Sequence, residues 1–423
     1  MIEKAQVRSK QGRSGWLLIA AYSLLAGATQ MLWLTYAAIT SSTARRYGVS
    51  EEAVGWLAQI FPLLYVVLAI PAGRLLDVRF RPSLGIAGAC VGAGGLLRLG
   101  GETFAFALAG QVLIALAQPV VMSAISKVAG SCLPAHQRPA GIAVASAASF
   151  VGMLIALLLG PALGGAHLML LLGIEAGIGV IGAVCLAFAL LAPPTQEGES
   201  AAVEGSVALA LWRRREFKVI CALVFLGFGV FVAIATWLQT LLHPAGVSET
   251  VSGILLVGML IAGVLGSAVL PPLLERRRAE RAFMVSVVLV GVLGSLVLGL
   301  SSSIVPRVLA MVAFGVTLLP ALPVMLTLAE RLAGPHAGTA GALVWLAGNL
   351  GGLVVALIVQ ALVHHPLGAF LALCVIGLLG LPFALRMDRV LDAVSAVQRQ
   401  LVRTALAPAE AQITRTALAP EDV

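Results

Sequence analysis

Uncharged hydrogen-bonding side chains and indole rings recur inside otherwise apolar stretches of this 423-residue chain. Gln30 and Trp33 stand three apart, Gln111 and Gln118 seven apart, and Asn349, the chain's single asparagine, follows Trp345 by four and precedes Gln360 by eleven. At helical spacing each set shares one face. An aromatic face can hold an organic cation through its quadrupole, and amides orient a ligand without adding charge. Trp33, Gln118, Asn349, Gln30, Tyr36, Trp237 and Trp345 form the candidate substrate-binding set. The competing reading is helix-to-helix glue, worth only about 0.6 kcal/mol per hydrogen bond in membranes.

Among 19 acidic residues, Glu175 alone sits well inside an apolar run. A mid-bilayer charge costs about 2.5 to 3.5 kcal/mol on insertion scales, so Glu175 should be paired or protonated. It is the candidate proton-coupling carboxylate, with His167 its nearest titratable neighbour in sequence and no Lys or Arg of the apolar runs an evident mate. Lys127 is expected to reach toward headgroups. The five cysteines lack metal or disulfide-framework spacing, and His136 and His336 occupy equivalent loops, so neither metal nor cofactor is expected. No nucleotide-binding glycine loop, His-carboxylate cluster or serine elbow is present, which argues against an enzyme.

The elements that must carry these residues follow from composition. The chain is 60% hydrophobic and 11% charged, against roughly 25% charged in soluble domains. Twelve apolar runs, near 16–44, 51–76, 82–100, 103–131, 137–163, 167–192, 217–242, 248–274, 282–301, 304–331, 337–363 and 366–386, are each long enough to span a bilayer as helices. Their continuity opposes a barrel, whose strands alternate. The expectation is an all-α membrane protein of twelve transmembrane helices. Lys4 to Arg13 before WLLIAAYSLLAGA resembles a cleavable signal, but apolar character continues to Ile39, so the segment is read as helix 1.

The chain also repeats itself. GVSEEAVG at 48–55 returns as GVSETVSG at 246–253, and LLDVR at 75–79 faces LLERR at 273–277, both 198 positions on. Six-helix units over 1–192 and 217–386, a cytoplasmic linker at 193–216 and a cytoplasmic tail at 387–423 follow, the tail being either a surface-lying amphipathic helix or a solvated segment. With both termini in the cytoplasm, every Lys and Arg except Arg45, Arg46, Arg98 and Arg307 falls inside, as the positive-inside rule requires. The net charge of +8 is thus a topology signal with anionic headgroups as partner, and no basic soluble face exists for nucleic acid. Composition suggests a bacterial inner membrane.

Two six-helix copies resemble the major facilitator superfamily over the membrane portion, which implies two bundles rocking about a mid-membrane site. The loop Gly73, Arg74, Leu75, Leu76, Asp77, Val78, Arg79, Phe80, Arg81 is similar to the superfamily's pattern after helix 2, departing from it at Phe80 and Pro82. The resemblance implies a breakable latch between the bundles, with Asp77 its acid, Arg79 and Arg81 its bases and Glu275 the equivalent acid in the second half. Gly152, Gly160 and Pro161 resemble the superfamily's antiporter signature. Small residues four apart also let helices pack closely.

Met31 to Asp77 and Ala117 to Gly130 resemble the feline leukaemia virus subgroup C receptor branch, linked to choline, ethanolamine and haem-related transport. That likeness singles out Trp33, Gln118 and Asn349, while a helix 7 tyrosine of the branch is Val232 here. The expected function is transport of a small organic solute, a choline-like amine among them, by a monomer. Proton-coupled efflux and a receptor or scaffold without transport are the alternatives.

Overall fold

The structure is a computed structural model that describes residues 2–101, 103–134, 137–165, 167–191 and 205–400. The protein is all-α, and twelve helices among the described residues are long and apolar enough to cross a membrane. Helices 1 to 6 are Gly15–Leu34, Glu51–Leu76, Val78–Leu97, Phe104–Ser123, Ala140–Leu163 and Leu168–Leu191; helices 7 to 12 are Arg215–Ala245, Glu249–Pro271, Glu280–Leu300, Ile304–Ala333, Thr339–Ala361 and Pro366–Ala384. Helix 1 ends sooner than the apolar run implies: residues 35–38 are turns, and Thr40–Tyr47 forms a separate short helix. Helices 2 and 3 run almost continuously, interrupted where Arg79 leaves helical geometry at φ −139°, ψ 57°.

The repeated octapeptide makes the same local structure twice. Gly48 (φ 65°) and Gly246 (φ 75°) turn the chain in the left-handed region that a side chain disfavours. Two residues later, Ser50 accepts from Ala53 N and Ser248 accepts from Val251 N, each at 3.3 Å, capping helices 2 and 8. Glu51 and Glu249 then sit in the first turn, where the helix dipole favours a negative charge.

Small residues set how closely helices approach. A Cβ on Gly152 of helix 5 would lie 1.9 Å from the Gly27 carbonyl oxygen of helix 1. In the second half, a Cβ on Gly351 of helix 11 would lie 1.9 Å from the Phe225 carbonyl oxygen of helix 7. Helices 1 and 7 are the most buried spans, 83% and 72% of their most apolar windows, whereas helix 6 is 28% buried and faces outward. The central positions therefore go to helices 1 and 7. Their far ends, at Leu34 and Ala245, share one side of the bundle with Gly48 and Gly246, called here the far end; Gly15 and Ala384 mark the terminal end.

The expected linker at 193–216 is in part outside the described residues, and Gly205–Arg213 within it is helical with Leu211 buried. After helix 12 a further helix over 387–400 buries Met387, Val390 and Val394 in the core, and Arg281 bonds Asp388. This part of the tail packs its apolar face on protein. The RTALAP segments beginning at Arg403 and Arg415 lie outside the described residues, as does His136.

Candidate functional site

The candidate substrate residues separate into two groups. In the first half, Gln118 of helix 4 and Gln30 of helix 1 face each other, Nε2 to Oε1 at 3.5 Å, and Gln30 Nε2 lies 3.1 Å from Met122 Sδ. In the second half, Asn349 of helix 11 donates to the carbonyl of Trp345 at 3.0 Å, leaving its amide oxygen unused by that bond. The Trp345 ring stands edge-on to Phe228 of helix 7, centroids 6.0 Å apart, and Phe228 meets Phe231 at 5.6 Å. Trp345 and Phe228 are only partly buried. Among the described residues no hydrogen bond joins Gln30 or Gln118 to Asn349, so the amides of the two halves stand apart.

Trp33 and Trp237 do different work from Trp345. Trp33 Nε1 donates to Ala58 O at 2.9 Å and its ring sits 6.4 Å from Phe61, which ties helix 1 to helix 2. Trp237 Nε1 donates to Ala356 O at 3.1 Å, which ties helix 7 to helix 11. The Trp237 ring also fills the space a side chain at Gly55 would need, with a Cβ there 2.1 Å from Cη2. Gln111 likewise spends its amide on the backbone carbonyls of Leu32 and Leu57, 3.1 Å each. These three are helix-to-helix ties, since a buried N–H left unpaired is costly.

Glu175 has a basic mate after all, contrary to expectation. Arg98 Nη2 is 3.0 Å from Glu175 Oε2, both side chains are 0% exposed, and Thr35 bridges them by donating to Glu175 at 2.6 Å and accepting from Arg98 Nη1 at 2.9 Å. Arg98 also stands 5.8 Å above the Tyr36 ring. Arg98, tallied only as a charge on the outer side of the membrane, is fully buried, as is Arg307 at 4% exposed. Tyr36 thereby belongs to an ion-pair cluster joining helices 1, 3 and 6. The half-buried Lys127 has its ammonium pushed below the ordinary value by burial.

Residues outside the expected binding set join the halves at the far end. Gln239 Nε2 donates to Ser41 Oγ at 3.0 Å, and Glu249 accepts from Ser42 N at 2.6 Å. Gln59 of helix 2 donates to Gln360 of helix 11 at 2.8 Å, and His364 Nε2 lies 2.6 Å from Glu52 Oε1. Pro161 of helix 5 packs where a Gly253 side chain would stand, 2.2 Å from its Cβ position. The usable signal was the repeat itself, because Ser41 and Gln239 are 198 positions apart. Pro161 thus serves the joint between halves, while Gly152 meets helix 1 at Gly27 and Gly160 faces the turn that follows helix 1, where its Cβ would lie 3.7 Å from the Thr35 carbonyl oxygen.

At the terminal end, three bonds made by charged groups among the described residues stay within their own half. Arg81 donates to Leu190 O at 3.0 Å, Glu275 pairs with Arg331 at 2.8 Å, and Arg214 donates to Leu332 O at 3.2 Å. Ser83 donates to Arg79 O at 2.6 Å, and a side chain at Gly73 would meet open space. The side chain of Asp77 lies outside the described residues. The expected latch residues Arg81 and Glu275 are therefore engaged without bridging the bundles.

Residues 17–356 match the Major Facilitator Superfamily. Solute carrier family 49 member A3 of Danio rerio is 29% identical over 299 residues, 65% of this chain and 62% of that protein. The choline/ethanolamine transporter FLVCR2 of Homo sapiens is 23% identical over 323 residues, 68% of this chain and 60% of that protein. The chain thus spans about three fifths of these relatives' length. In fold, a bacterial homologue of the human lysosomal transporter Spinster, solved inward-facing and unoccupied, superposes with a TM-score of 0.67 at 14% identity, covering 92% of this chain and 98% of that one. The nucleoside transporter NupG superposes with a TM-score of 0.65 at 15% identity, covering 88% and 99%.

Proposed function

Because the chain belongs to the Major Facilitator Superfamily, whose members are transporters and not enzymes, we propose that it moves a small organic solute across a membrane by alternating access between its two six-helix halves. The observation that carries this reading is the asymmetry of the joints. Polar and glycine contacts bind the halves at the far end, whereas among the described residues Arg81 and the Glu275–Arg331 pair at the terminal end bond within their own half. A bundle whose halves are bonded at one end and free to part at the other would be one of the two end states that such a mechanism needs. With both termini in the cytoplasm of an inner membrane, as the basic residues favour, this is the inward-open state.

The solute would lie between Gln30 and Gln118 on one side and Asn349, Trp345 and Phe228 on the other. Amides with spare oxygen capacity and a partly exposed aromatic pair suit a small amine. The names of the FLVCR2 relatives make choline and ethanolamine the first compounds to test. Trp33, with its N–H committed to helix 2, serves as a wall and not as a cage member. Proton coupling through Glu175 is disfavoured, because that carboxylate is engaged by Arg98 and Thr35 away from any opening. That favours facilitated, uncoupled movement.

Flux of radiolabelled amines into liposomes containing the purified chain, with and without an imposed proton gradient, tests both parts. Saturable uptake that ignores the gradient supports the reading. Uptake that collapses without the gradient would restore the proton-coupled alternative, and binding without flux of any tested solute would favour a receptor.

A further inference from the structure

At the far end lies a second place with ligand-binding chemistry, separate from the central amides. A cavity of about 350 Å³ opens where the halves meet, walled by Ser50, Glu51 and Glu52 at the start of helix 2, by Thr240 and His243 at the end of helix 7, and by His364 after helix 11. Pro244 and Val363 complete the wall, so no Phe, Tyr or Trp ring faces it. Thr240 is 6% exposed and its hydroxyl has no hydrogen-bond partner. Such buried hydroxyls are ordinarily paired, which makes one in a cavity wall a mark of a missing donor or acceptor.

We propose that this cavity binds a small primary ammonium ion, held by Glu51, Glu52 and Thr240 at the junction of the two halves. The volume decides against a bare inorganic ion, since one water takes up about 30 Å³ and the space is roughly tenfold larger. The absence of a Trp, Tyr or Phe face decides against a quaternary ammonium, which relies on cation–π attraction. Glu51 already accepts from Ser41 through Oε1 and Glu52 Oε1 lies 2.6 Å from His364, so the second oxygen of each carboxylate and the Thr240 hydroxyl offer three acceptors, matching the three N–H donors of a primary ammonium. Glu51 and Glu52 come from the first half and Thr240 from the second, so occupancy reinforces the closed far end. The site stands whether or not the same amine crosses the membrane.

Thermal unfolding of the full chain in detergent, titrated with ethylammonium chloride at constant ionic strength, tests it. The unfolding temperature should rise saturably with ethylammonium, and sodium or tetramethylammonium should need at least tenfold higher concentration for the same rise. Glu52→Gln and Thr240→Val should each weaken the ethylammonium response at least fivefold. Thr240→Val removes only an unpartnered hydroxyl, so its unfolding temperature without ligand should equal or exceed the parent's, which separates lost binding from misfolding. No saturable rise, an equal response to sodium or tetramethylammonium, or an undiminished response in either variant overturns the proposal. Failure here with intact amine flux in liposomes would leave the transport reading untouched.

Discussion

Gln239 donates a hydrogen bond to Ser41 at 3.0 Å, and the two residues occupy the same position in the two repeats of the chain. A pseudo-twofold axis running between the halves brings equivalent positions face to face only where the halves touch. This bond therefore marks the joint that must break for the far end to open. In a background lacking the native cysteines, Ser41→Cys with Gln239→Cys, oxidised to a disulfide, should reduce solute flux more than tenfold, with recovery on adding reductant. Undiminished flux in the oxidised protein would mean that this end does not open during transport.

The Gly27–Gly152 and Phe225–Gly351 approaches leave no room for a methyl group. Gly152→Ala and Gly351→Ala should each destabilise the protein, by about 1 to 3 kcal/mol if the helices shift apart to accommodate the added atom. Differential scanning fluorimetry in detergent would show the loss, and equal melting of variant and parent would contradict the packing described.

Arg98 and Glu175 form a fully buried pair. Removing one partner strands a charge, so Arg98→Met should cost about 3 to 5 kcal/mol, while Arg98→Met with Glu175→Leu should recover much of that loss. The pairing also predicts that Glu175→Gln leaves the pH profile of flux in place. A profile that flattens in Glu175→Gln would make this carboxylate the coupling group.

Trp237 and Asn349 should separate stability from solute recognition. Trp237→Ala opens a cavity against Gly55 and should destabilise by about 3 to 5 kcal/mol. Asn349→Ala loses one exchangeable bond to its own helix and should leave melting nearly unchanged while raising the half-saturating solute concentration about tenfold or more. An Asn349→Ala variant with unaltered solute affinity would remove helix 11 from the site.

The sequence by itself determined the spans, their all-α character and the duplication, and it singled out Gly152, because each is written in runs or spacings along one chain. GVSEEAVG and GVSETVSG, for instance, imply a turn and a serine cap wherever they occur. Which way a helix face points was not legible. In a membrane the surroundings are as apolar as the core, so hydrophobic periodicity does not mark the inward side, and Trp33 reads the same whether it lines a cavity or clamps helix 2. Only the tertiary structure decided that Arg98 meets Glu175 across helices 3 and 6, and that Ser41, Gln239, Gln59 and Gln360 join the halves at one end. Those pairings depend on the rotation and registry of separate helices, which packing sets and no local run of residues encodes.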